Sequence, residues 1–179
     1  YGEDIKAYPA DTARLKNVIE LVAEKSGWDK KFKKGGLPKG HGIGISAHRS
    51  FLSYVAIVVE VSTEGNKVKI EDIHIAADIG KVLNPDRVRS QLEGAAMFGA
   101  SIAFYGEITA KGGVVEQNNF NDYQLVRMHQ IPKIHTHLVK SDAKPTGIGE
   151  PGVPPFAPAL CNAIFNSTGE RHRRSPLKK

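Results

Sequence analysis

A chain of 179 residues can form one compact domain with a real core, and its 25% charged and 40% hydrophobic residues exclude both global disorder and a fibrous repeat. The 25 basic against 19 acidic side chains give a net charge of +6, but the excess lies in two clusters: Lys30, Lys31, Lys33 and Lys34, and Arg171, Arg173, Arg174, Lys178 and Lys179. Both adjoin turn-like or terminal sequence and neither carries a nucleic-acid motif, so a solvated loop and tail fit better than a nucleic-acid surface.

Cys161 is the only cysteine, which rules out an internal disulfide and a self-supplied thiolate set for an iron-sulfur cluster. No apolar run approaches the ~20 residues that span a bilayer, and the opening YGEDIKAYPADTARL has no signal-peptide core. The compartment is left open by these features.

In chain order, Asp11 is placed to cap a helix through RLKNVIELVAEKSG, with Leu15, Val18, Ile19 and Val22 on one face and Gly27 at its end. The basic, glycine-rich DKKFKKGGLPKG that follows predicts an exposed, flexible connection. HGIGISAH begins strand chemistry, SYVAIVVEV predicts a buried strand, and Glu64, Gly65 and Asn66 a turn. In KVKIEDIHIAADIG the alternation at Val68 and Ile70 resumes out of phase at Ile73 and Ile75, which predicts a second hairpin strand bulged near Asp72.

NPDRVRSQLEGAAMFGASIAFYGE predicts a helix capped by Asn84 with Pro85 at its first position. Its stripe of Val88, Leu92, Ala95, Gly99 and Ile102 is small-sided. Gly94 and Gly99 each cost roughly 1 kcal/mol relative to alanine in a helix, so close packing by a backbone or a ligand is expected there. GVVEQNNF and PKIHTHLV are further strand candidates, and FAPALCNAIFNSTG predicts a helix ended by Gly169. This order of elements fits a mixed α+β domain rather than a doubly wound one.

Four groups of residues bear on the chemistry. HGIGIS lacks the preceding strand and following helix of a phosphate loop, so its glycines are better read as entering a strand. Among the seven histidines, His135 and His137 have a spacing that can bind metal, but the sequence suggests no third ligand. Asn118, Asn119, Asn121 and Asp122 either cap a turn or face a cleft, the turn being favoured.

The segment GIGEPGVPPFAP is the most informative. It holds one carboxylate, Glu150, between Gly147 and Gly149 on one side and Pro151, Gly152, Pro154 and Pro155 on the other. Glycine permits close approach to a ligand and proline stiffens the chain, and the loop leads into a helix N-terminus that favours anions. Local composition alone leaves two readings open, a rigidly presented base and a surface glutamate in a proline-rich turn.

GIGEPGVPPFAPALCNAIF with NSTGERHRRSPL resembles the carboxy terminus of the molybdenum-cofactor subunit in the xanthine dehydrogenase and aldehyde oxidase family, in particular the isoquinoline 1-oxidoreductase beta subunits and their aldehyde-oxidising relatives. The likeness continues through HIAADIGKVLNPDRVRSQLEGAAMFGASIAFYGEIT and NNFNDYQLVRMHQIPKIHTHLV, from about Arg14 to Leu177. The resemblance implies that Glu150 of the GEP motif is the active-site base. It also implies that Gln91 lines the molybdenum site and that Gly94, Ala95 and Gly149 lie near the cofactor. Thr146 departs from the pattern, standing where a second glycine is expected.

By this resemblance the chain is the carboxy-terminal portion of a molybdopterin-binding domain, with an amino-terminal helix and basic linker over 1–38 and an α+β core over 39–179. The implied function is hydroxylation of an N-heteroaromatic or aldehyde with water-derived oxygen. The cofactor is a molybdopterin-type molybdenum centre in the full-length protein, with none expected on this portion alone. Its pterin dithiolene holds the metal, so no metal-ligating side chains are required. The implied partners are an iron-sulfur small subunit, earlier domains of the same subunit and a small-molecule substrate, with no nucleic acid and no transmembrane segment. The rival reading is a non-catalytic binding or assembly module that retains the fold.

Overall fold

The computed structural model describes residues 10–33, 35–65 and 67–177; Lys34, Asn66, Lys178 and Lys179, named above in the basic clusters and the turn, lie outside them. The architecture is α+β, a mixed four-stranded sheet in the order β1-β2-β3-β6 with helices on both faces. Strands β1 (His41–Ser50), β2 (Ser53–Glu64) and β3 (Lys67–Asp78) form an antiparallel meander, and β6 (Lys133–Leu138) joins β3 in parallel. A parallel neighbour requires a crossover. Helix α2 (Pro85–Tyr105) lies within that connection, together with a two-residue-strand hairpin, β4 (Ala110–Lys111) and β5 (Val114–Val115). Helix α1 (Thr12–Ser26) precedes the sheet and α3 (Phe156–Thr168) follows it.

Strand β2 is buried on both faces because it is the inner strand between two helical layers. Val55, Ile57, Val59 and Val61 pack with residues of α2 and α3, while Tyr54, Ala56 and Val58 pack with Val18 and Val22 of α1. Each fully buried Val or Ile contributes about 1.5–3 kcal/mol relative to exposure, so this one strand is a large share of the core. The expected bulge is present: Glu60 pairs with Asp72 and Val61 with Ile70, which leaves Glu71 as the extra residue.

The caps read from the sequence are present. The Asp11 carboxylate accepts from the N–H groups of Ala13 and Arg14, Gly27 ends α1 at φ 71°, and Asn84 accepts from the Arg87 N–H with Pro85 opening α2. Two local expectations change, and one turn was not foreseen. The basic connection contains a π-helical turn over Asp29–Lys33 rather than irregular chain alone. Of GVVEQNNF only Val114–Val115 forms a strand, β5, and Gly112 and Gly113, at φ 59° and 81°, are the turn of the β4–β5 hairpin that opens it. The β1–β2 turn is made by Phe51 and Leu52 at φ 49° and 62°, a conformation usually left to Asn-Gly.

Helix α3 lies directly on β1. A Cβ added to Gly42 would stand 2.1 Å from the Ala163 carbonyl oxygen, and one added to Gly44 would stand 2.2 Å from the Ala159 carbonyl oxygen. The helix also covers the free edge of β1: Asn166 Oδ1 accepts from the Ile43 N–H at 3.0 Å, Asn162 Nδ2 donates to the Ile45 carbonyl at 3.1 Å, and Ser46 donates to the Pro155 carbonyl. An otherwise open edge is thereby closed by side chains of the helix. The glycines of HGIGIS are the seat of α3.

At the other end of the sheet, Arg14 grips Asp78 with two hydrogen bonds, Nε at 2.9 Å and a terminal nitrogen at 2.6 Å. Burial pushes the Asp78 carboxyl up, but the Arg14 pair and the Gly80 N–H outweigh it and hold the group below its ordinary value. Tyr54 reinforces the same corner, its hydroxyl accepting from the Asp11 N–H at 2.7 Å and its ring lying under the Arg14 guanidinium.

Two predictions follow from this packing. Gly44→Ala drives a methyl into helix backbone that cannot yield, so it should cost about 3 kcal/mol or more in denaturant unfolding; a cost under about 1 kcal/mol would show that α3 is not seated there. Because the Asp78 carboxyl is lowered on folding, its contribution is present above the unfolded value of about 3.9 and is lost as pH falls through the folded value. Arg14→Ala should therefore cost about 3 kcal/mol near neutral pH and flatten the acid limb of the stability curve. An acid limb identical to that of the unsubstituted chain would remove the pair from this role.

Candidate active site

Gln91, Gly94, Ala95, Gly149 and Glu150 line one cleft of about 390 Å³, together with Phe98, Val153 and Pro154. Two elements make it. Gln91, Gly94, Ala95 and Phe98 follow the i, i+3, i+4, i+7 spacing of one face of α2, and the loop from Gly149 to Pro154 crosses that face on its way into α3.

Glycines set the distance between loop and helix. A Cβ on Gly152 would stand 2.9 Å from the Ala95 methyl, and one on Gly99 would stand 2.6 Å from the Phe156 side chain. The close packing expected at Gly99 is therefore supplied by the chain's own α3. Gly94 differs: it is exposed and nothing lies within 4 Å of where its Cβ would stand, so no packing inside this chain accounts for it. Gly149 is open in the same way, and the two glycines leave space on opposite sides of the cleft. Ile102 departs from the expected stripe, standing at the exposed margin of α2.

The loop is held from behind by the unusual β1–β2 turn. Gly147 N–H donates to the Phe51 carbonyl at 3.2 Å, and the Phe51 side chain rests on Gly147. Ser53, fully buried, donates to the Gly147 carbonyl at 2.5 Å and meets the Thr146 hydroxyl at 2.7 Å, while the Thr146 N–H donates to the Ile79 carbonyl. The residue that breaks the glycine pattern thus supplies a tie to the sheet. Beyond it, the Val153 N–H closes a turn onto the Glu150 carbonyl at 2.8 Å.

The Glu150 side chain is exposed toward the cleft and takes no hydrogen bond or ion pair among the described residues. A rigid loop presenting a carboxylate without an internal partner can accept a proton from a molecule bound against α2. Gln91 offers an amide donor and acceptor on the facing wall, with Phe98, Val153 and Pro154 as the apolar lining. The sequence reading missed Phe98, for which the only signal was an aromatic seven residues after Gln91 on the same helix face; Val153 and Pro154 had no signal of their own beyond membership of the loop.

A larger cleft of about 1220 Å³ lies between β3, the end of α2 and residues 117–132, and contains none of these residues. Its Asp122 is already engaged: the backbone N–H groups of Asn119 and Asn118 hold that carboxyl below its ordinary value, so the asparagine cluster caps a turn. Cys161 is half-buried and burial pushes its thiol up, away from thiolate chemistry.

The family model of the molybdopterin cofactor-binding domain matches residues 10–132, a span that includes Gln91, Gly94 and Ala95 and stops before Glu150. The chain is 33% identical over 163 residues to isoquinoline 1-oxidoreductase subunit beta of Brevundimonas diminuta, covering 90% of this chain and 21% of that protein. It is 30% identical over 167 residues to a membrane-bound aldehyde dehydrogenase (pyrroloquinoline-quinone) of Gluconacetobacter polyoxogenes, again 90% of this chain and 21% of that one. The aldehyde oxidoreductase of Desulfovibrio gigas has the same fold with a TM-score of 0.61 at 21% identity, over 70% of this chain and 14% of its own. The chain thus spans about a fifth of the length of the curated relatives it matches. A family match over residues 10–132, on a fold shared with an aldehyde oxidoreductase, shows that this chain belongs to the molybdopterin cofactor-binding domain family.

Proposed function

We propose that this chain forms one wall of the cofactor cleft of a molybdenum hydroxylase acting on an N-heteroaromatic or aldehyde substrate, with Glu150 as its general base. The observation that carries the reading is the cleft itself, in which an unpartnered carboxylate faces an amide across glycines whose missing side chains leave the space open. The names of the similar proteins, an isoquinoline oxidoreductase subunit and an aldehyde dehydrogenase, support the substrate class.

The residues fit a planar, hydrogen-bonding cofactor against α2. Gln91 would hold it through the side-chain amide, Gly94 and Ala95 would allow it close to the helix surface, and Gly149 would let the loop approach from the other side. When bound, the cofactor supplies the two-electron redox chemistry. What the chain adds is position and proton transfer. Glu150 accepts a proton at a carboxylate oxygen from the water-derived oxygen nucleophile, and the loop ties at Ser53, Thr146 and Phe51 keep that oxygen acceptor in place. The apolar lining of Phe98, Val153 and Pro154 helps exclude bulk water.

One wall does not enclose a ligand, so the other wall belongs to earlier domains of the same subunit, and this chain alone is expected to retain neither molybdenum nor pterin. Electrons would leave through an iron-sulfur small subunit, since the single half-buried cysteine cannot supply a cluster.

In the whole enzyme with molybdenum content verified, Glu150→Gln keeps the shape and removes the acceptor. Turnover should fall by at least ~10²-fold in kcat, with folding and metal content unchanged. Activity within a few-fold of the unsubstituted enzyme would exclude Glu150 as the base. Gln91→Ala, at an exposed helix position, should reduce the steady-state rate far more than the melting temperature. The reverse pattern, a large drop in melting temperature at an unchanged rate, would make Gln91 structural.

A further inference from the structure

On the opposite face of the sheet, under α1, the parallel register of β3 and β6 gathers a second set of polar side chains. His74 pairs with His135 and Asp72 with Lys133 across the two strands, so Asp72, His74, His135 and His137 point to one side. One ligand atom from each of Asp72, His74 and His135 lies within 4.8 Å of the others. His74 Nε2 is 3.2 Å from Asp72 Oδ2, and His135 Nε2 is 3.0 Å from Asp72 Oδ1. A tetrahedral ion with bonds of about 2.1 Å has ligand-to-ligand edges of about 3.4 Å, close to the distance at which each imidazole already stands from an oxygen of the Asp72 carboxylate.

Two further observations favour an ion there. Asp72 Oδ1 is buried and takes no hydrogen bond among the described residues, although His135 Nε2 stands 3.0 Å away. His74 has its second nitrogen, Nδ1, 3.2 Å from His137 Nε2. If Nδ1 carries the proton and donates it, Nε2 presents a lone pair toward Asp72, the arrangement in which a partner on the far nitrogen orients a ligating imidazole. The nearby Lys31 is already matched to Glu60 at 2.7 Å, which blunts its repulsion of a cation.

We propose that Asp72, His74 and His135 form a binding site for a divalent transition-metal ion of the zinc type, with His137 orienting His74. The two-imidazole, one-carboxylate set suits zinc and its neighbours rather than calcium or magnesium. The ion would join β3 to the edge strand β6 on the face away from the Glu150 cleft, a structural site separate from the molybdenum chemistry.

The test is titration of the EDTA-stripped full chain with zinc chloride alone, followed by calorimetry and by thermal melting. Saturable binding of one zinc per chain is expected, together with a rise in melting temperature. Because His135 is on an exposed edge, His135→Ala should fold normally and weaken binding at least 10-fold. Asp72→Asn should do likewise, and His137→Gln should weaken binding by about 10-fold through loss of orientation. His129→Ala, outside the cluster, should bind as the unsubstituted chain does. Absence of saturable binding, or one-to-one binding that survives His135→Ala combined with Asp72→Asn, would overturn the site.

Discussion

Backbone contact between α3 and β1, through Gly42 and Gly44, fixes where everything on that face of the sheet can be. With the helix this close, Asn162 and Asn166 reach the free edge of β1, and Phe156 at the start of the helix is driven against Gly99 of α2. The loop before Phe156 has no freedom left to choose its path. It passes over α2 with Gly152 on Ala95, and Glu150 comes to face Gln91. A side chain at any of these glycines would lift the loop from the helix and open the cleft.

The same physics explains why Gly94 stands apart. Five glycines near the site, Gly42, Gly44, Gly99, Gly147 and Gly152, are filled by neighbours from the chain itself, and their cost in conformational entropy is offset by packing. Gly94 has no such neighbour and still interrupts a helix. In the cofactor cleft proposed above, its vacancy makes sense as room for a ligand. The helix on the other face shows the contrast, since α1 contains no glycine and is locked by the Arg14–Asp78 pair instead.

Much of this was legible in the sequence because it is local. Capping residues, β-branched runs and the phase slip at the bulge act over a few positions, and Asp11, Asn84, Gly27 and Glu71 behave as their chemistry dictates. Gln91, Gly94, Ala95, Gly149 and Glu150 could be singled out from two motifs, GEP and QLEGA, whose likeness to a known family does not depend on contacts. The illegible parts are those decided by distant partners. Phe51-Leu52 carries no turn chemistry, and its positive φ values are held by Gly147 and Ser53. Asp72 and His135 give no sign of each other until a parallel crossover sets their register. Gly99 and Gly94 look alike in sequence and differ only in what α3 covers.

The ties that hold the Glu150 loop and α3 join residues far apart along the chain: Ser53 to Thr146 over 93 positions and Ile43 to Asn166 over 123. The β1–β2–β3 meander, by contrast, closes through short turns. Loop-closure entropy favours local hairpins before remote contacts, so the β1–β2–β3 meander can form before the wall of the Glu150 cleft. The strained Phe51-Leu52 turn therefore exists first without the partners that later support it, and the arrival of α3 and its preceding loop both completes the turn and builds the site. Maturation of this surface is a late step of folding, coupled to the docking of a single helix.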